Sequence, residues 1–68
     1  MTPAAARESA GLTVSEAARR IGCARYTLAR WEARRQTPNA VHLLRLAEVY
    51  ALPNDCLLDL ARYWSDHE

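Results

Sequence analysis

The sequence predicts an all-α domain of five short helices, and three observations predict it. The β-branched residues are scattered, with no run alternating at period two, so no strand is signalled. Leu43, Leu46, Ala47 and Tyr50 fall on one stripe at helical spacing. Helix start and stop residues recur along the chain at intervals that suit short helices.

Thr2-Pro3 opens the first helix, with Thr2 as cap and Pro3 at the first helical position; Gly11 ends it, giving residues 3–10. This helix is short and built largely of alanine. Thr13 caps the second through its hydroxyl, and Glu16 three positions on completes a capping box, which places that helix at 14–21. Ala18 suits a close helix crossing, and Gly22 follows Ile21 where a left-handed backbone ends a helix. A third helix at 25–33 follows after one tight turn, with Leu28 and Trp31 on one face and Arg25, Tyr26, Ala29 and Arg30 projecting elsewhere. Pro38 disfavours helix at Thr37, so 34–38 is a loop. Asn39 caps a fourth helix at 40–51, Leu52-Pro53 breaks it, and a fifth runs over 54–64 with Asp55 in its first turn. Leu57, Leu60, Ala61 and Trp64 share a face of that last helix.

Sixty-eight residues make a single domain, near the lower size at which a chain without staples folds alone. Half the residues are hydrophobic and a quarter charged, a globular composition. No apolar stretch is long enough to span a bilayer and no leader is evident, so the expectation is a soluble, cytoplasmic protein without a membrane partner. Cys23 and Cys56 form no CxxC pair, and with His42 and His67 they give no metal-ligand spacing; both are expected to be reduced, small apolar residues. No metal, cofactor or small-molecule ligand is expected. An enzyme is disfavoured as well: no nucleophile lies near a base, no Gly-rich loop cradles phosphate, and the carboxylates are spread out along the helices.

The net charge of +1 averages two unlike halves. Residues 19–35 hold six arginines against Glu32 alone, whereas residues 39–68 hold Arg45 and Arg62 against Glu48, Asp55, Asp59, Asp66 and Glu68. A basic patch on one part of a small domain is the electrostatic footprint of a nucleic-acid binder.

Residues 7–58 resemble the Cro and lambda-repressor type of helix-turn-helix domain, the xenobiotic response element family. The features that carry the resemblance are Arg7-Glu8 before Gly11-Leu12-Thr13, the Glu16-Ala17-Ala18 and Ile21-Gly22 signature, Trp31-Glu32 closing the third helix, Thr37-Pro38-Asn39 opening the fourth, and Leu43, Leu46 and Ala47 within it. The resemblance implies a five-helix DNA-binding module whose third helix lies in the major groove. It places Arg25, Tyr26 and Arg30 at the bases, the arginines favouring guanine, and Thr13, the Val14 amide, Thr27, Arg34, Arg35 and Thr37 near phosphates. It also implies a structural ion pair between Arg7 and Glu32. Three departures stand out: the first helix is truncated, Ala17 stands where leucine is usual, with Trp31 to fill the volume, and Val14 replaces the polar residue that commonly reaches a phosphate.

Leu57 closes a small core, which leaves Leu60, Ala61, Tyr63 and Trp64 as an expected exposed patch and hence a homodimer interface. The reading that follows is a small transcriptional repressor occupying double-stranded operator DNA as a homodimer. The competing readings are an antitoxin-like or adaptor module using the same fold, and an excisionase-like winged protein, which would require strands after the third helix.

Overall fold

The computed structural model describes residues 1–65, and His67 lies outside them. Five α-helices follow in order: α1 Pro3–Ser9, α2 Val14–Ile21, α3 Arg25–Glu32, α4 Ala40–Val49 and α5 Leu57–Ser65, the last preceded by a 3-10 turn over Asn54–Cys56. No strand occurs among the described residues, so the excisionase-like wing is not present there.

The starts of α1, α2 and α4 follow from side-chain caps. Thr2 Oγ1 accepts from the Ala5 amide at 3.1 Å, Asn39 Oδ1 accepts from the His42 amide at 2.8 Å, and Thr13 and Glu16 form a complete capping box with bonds of 3.1 and 3.0 Å. The Glu16 carboxyl is held below its usual range, first by the Thr13 amide and then by the Thr13 hydroxyl.

The helix ends share one device. At the ends of α1, α2, α3 and α4 the chain turns left-handed, at Gly11 (φ 76), Gly22 (φ 92), Arg34 (φ 61) and Ala51 (φ 56). In each case the next residue's amide reaches back five positions: Leu12 to Arg7 O, Cys23 to Ala18 O, Arg35 to Arg30 O and Leu52 to Ala47 O, at 2.9–3.2 Å. This closure ends α1, α3 and α4 at Ser9, Glu32 and Val49, ahead of the boundaries 10, 33 and 51 expected from sequence. Two of the four turns use glycine, and Arg34 and Ala51 adopt the same backbone against the Cβ penalty. At Gly22 a side chain meets two obstacles, the left-handed backbone and Arg45 Nη1, which would stand 3.0 Å from a Cβ.

α2 packs against both α3 and α4. Ala17 and Ala18, each almost fully buried, permit that approach. The fully buried large side chains are Ile21, Leu28, Trp31, Leu46 and Leu60, with Pro3 contributed by α1. Short as it is, α1 is docked through Pro3 and Ala6 and through an ion pair: Arg7 Nε lies 2.8 Å from Glu32 Oε2 and Nη2 3.3 Å from Oε1. Arg7 Nη1 also donates to Leu12 O at 3.0 Å, so one guanidinium joins α1, the following loop and the end of α3. The two side chains are only 12% and 13% exposed.

The apolar patch expected on α5 is not left open. Leu60 is 0% exposed and Trp64 4%, both inside the common core, and Ala61 and Tyr63 are half-buried. Trp64 Nε1 donates to Trp31 O at 2.9 Å and the Tyr63 hydroxyl to Glu32 O at 2.5 Å. Sequence periodicity finds the apolar face of α5 but not its partner, which is the end of α3. His42 is half-buried, its ring packed on Trp31 at 5.1 Å between centroids.

Two stability changes are expected. Arg7→Ala leaves the Glu32 carboxylate nearly buried without a cation and should lower unfolding free energy by about 3 kcal/mol in urea titration, most of what a domain this small holds. Ala51→Gly relieves a left-handed alanine at an exposed turn and should raise it by about 1 kcal/mol, read as a higher urea midpoint at unchanged slope.

Candidate nucleic-acid interface

The turn between α2 and α3 is short because Gly22 reverses the chain and Ala24 starts α3 three residues after α2 ends. Arg45 of α4 locks this turn from behind, its Nη1 donating to Ile21 O at 3.1 Å, a cation at the negative end of α2. Ala24 gives no side-chain cap, so the first amides of α3 point outward without a protein acceptor from that residue. With Leu28 and Trp31 facing the core, Arg25, Tyr26 and Ala29 are exposed on the outer side; Tyr26 is 70% exposed.

Arg30, one turn on, does not extend freely. Its Nε donates to Gln36 Oε1 at 3.2 Å and its Nη1 to the Tyr26 hydroxyl at 3.1 Å, while its guanidinium carbon lies 5.5 Å from the Tyr26 ring centre. Tyr26, Ala29, Arg30, Ala33 and Arg35 border an open hollow of about 360 Å³ on this face. Gln36 was not among the residues singled out from sequence. The four-residue spacing of Tyr26 and Arg30 is legible as a helical pair, but Gln36 reaches Arg30 only because the left-handed turn at Arg34 folds the loop back alongside α3.

The residues expected near phosphates separate into two groups. Arg35 is exposed beside the outer residues of α3, Thr27 is half-buried in its first turn, and Thr37 is exposed at a hollow it shares with Leu43, Ala61 and Trp64. Arg34 is placed elsewhere: its guanidinium stacks on the Tyr63 ring, 4.2 Å from the centroid, which ties the end of α3 to α5. At the start of α2, the Thr13 amide is already bonded to the Glu16 carboxylate and the Thr13 hydroxyl accepts from the Glu16 amide, leaving the Val14 and Ser15 amides free of intrahelical bonding. Arg19 and Arg20 are exposed in the last turn of α2, and Arg25 is exposed at the start of α3.

Away from this face the chemistry is sparse. Cys23 and Cys56 are free and half-buried, and burial pushes the Cys23 thiol up. Among the described residues no group of three His, Cys, Asp or Glu converges, and no helix is long and apolar enough to cross a membrane.

No curated protein and no solved structure gives a significant match to the chain. A family model described as a helix-turn-helix domain matches residues 4–61, from the first turn of α1 into α5. Two helices joined by a tight turn within an all-helical five-helix domain, together with a match over most of the sequence, place the chain in the helix-turn-helix domain family, with a fold of the Cro and lambda-repressor type.

Proposed function

We propose that the protein is a sequence-specific DNA-binding regulator that represses transcription by occupying its operator. The observation that carries this reading is the outer face of α3, where Arg25, Tyr26 and Arg30 stand outward on the second helix of a helix-turn-helix with Arg35 beside them. In such motifs the second helix enters the major groove and its first residues meet base edges. Arginine there makes paired hydrogen bonds to guanine, and Tyr26 packs on a thymine methyl or donates to a phosphate. In this reading Thr13, the Val14 amide, Thr27, Arg35 and Thr37 meet phosphates and fix register on the backbone. Occlusion needs only binding, which a single domain of this size supplies.

The regulator acts as a homodimer, presenting two copies of α3 to half-sites about one DNA turn apart. With Leu60 and Trp64 in the core, the apolar side chains available to a second copy include Leu58 of α5 and Val41 and Leu44 of α4, each more than half exposed. Sedimentation of the protein on its selected operator should give two chains per duplex.

Selection of bound sequences from random duplexes, followed by binding titrations over a range of salt, tests the reading. A single enriched, guanine-containing site is the expected result; absence of binding to any duplex in dilute buffer overturns it. Arg30→Ala should relax the preference at one base pair of each half-site by a factor corresponding to about 1 to 3 kcal/mol. Arg35→Ala should weaken all duplexes alike and reduce the slope of log affinity against log salt by about 0.9 per chain. Arg34→Ala should leave that slope unchanged and instead lower stability by about 0.5 to 1 kcal/mol, because its guanidinium rests on Tyr63.

A further inference from the structure

Arg30 differs from the neighbouring outward arginines in being held before any partner arrives. A guanidinium offers two forks of parallel donors: Nε with one terminal nitrogen, or the two terminal nitrogens together. Gln36 Oε1 occupies Nε–H at 3.2 Å, which removes the first fork. The Tyr26 hydroxyl takes one Nη1 hydrogen at 3.1 Å and the ring lies alongside the cation, leaving one hydrogen on Nη1 and two on Nη2. With the Tyr26 hydroxyl on the Nη1 hydrogen that lies toward Cδ, the terminal fork stays open, and its two donors match guanine O6 and N7.

We propose that Gln36 is a positioning residue for base recognition. From the loop after α3 it holds Arg30 in the orientation that presents the terminal fork, so guanine preference depends on a side chain that touches no base. The proposal rests on the DNA-reading function above. Its physical content is pre-ordering: a long exposed side chain ordered in advance loses less freedom on binding, an effect worth roughly 3- to 10-fold in affinity for the matching base. The left-handed turn at Arg34 brings Gln36 to this place, so the turn shapes recognition as well as ending a helix.

The test uses Gln36→Ala and Gln36→Glu in the full chain, each first shown to be folded by circular dichroism. Affinities are measured for the selected operator and for duplexes with the candidate guanine replaced, at several salt concentrations. Relaxation of the Arg30 Nε–H group is measured by nitrogen-15 NMR without DNA. Gln36→Ala is expected to lose 3- to 10-fold of the guanine preference, with unchanged salt slope and unchanged affinity for the guanine-free duplexes, and to free the Arg30 Nε–H. Gln36→Glu keeps the acceptor, so it should retain the preference and the ordering while its charge weakens every duplex. Equal weakening of all duplexes by Gln36→Ala, or an unaltered preference, overturns the proposal. So does an Arg30 Nε–H as mobile in the original protein as in Gln36→Ala, a result that leaves DNA reading itself intact. Arg30 ordered as expected in a protein that binds no duplex overturns the functional reading and this proposal together.

Discussion

The structure depends on how the end of α3 is fastened. Glu32 receives two bonds from Arg7 of α1, its carbonyl receives the Tyr63 hydroxyl, and the Trp31 carbonyl receives the Trp64 indole. The last carbonyls of a helix have no partners within it, so α5 completes a need that α3 cannot meet alone. All of these bonds come from the inner side and the C-terminal end. The first turn of α3, capped by no side chain, is left to project.

This arrangement divides the arginines by task. Arg7 holds α1 to α3, Arg34 lies on Tyr63, and Arg45 closes the end of α2, whereas Arg19, Arg20, Arg25 and Arg35 stand in solvent. Arg30 belongs to both groups, tethered by neighbours on its own surface. Counting charge by chain segment finds the basic region but overstates the free cations within it, since Arg34, just past the end of α3 and in a left-handed turn, lies on Tyr63 while its neighbour Arg35 stays in solvent.

Much of the fold is legible in the sequence because its determinants are local. Thr2, Thr13 and Asn39 announce helix starts through bonds spanning three residues, and the stripe at Leu43, Leu46, Ala47 and Tyr50 belongs to any amphipathic helix. Gly11 and Gly22 mark two of the four left-handed turns; Arg34 and Ala51 make the same turn with ordinary residues, so the ends of α3 and α4 are written in packing and not in residue type. The partner of α5 is legible only in three dimensions, because Tyr63 and Trp64 meet carbonyls more than thirty residues away. The same holds for the site. Arg25, Tyr26 and Arg30 follow from helical spacing, while the contact of Gln36 with Arg30 and the diversion of Arg34 both accompany the left-handed turn in the loop between α3 and α4.

The fastening of α3 from α5 has a consequence for the order of events during synthesis. Helices α2 and α3 can meet as soon as they leave the ribosome, being adjacent in the chain, but Trp64 lies 33 residues beyond the carbonyl it satisfies. Until that indole has emerged, the final turn of α3 lacks half of its anchorage. A nascent chain therefore lacks a settled third helix until the last helix has left the ribosome.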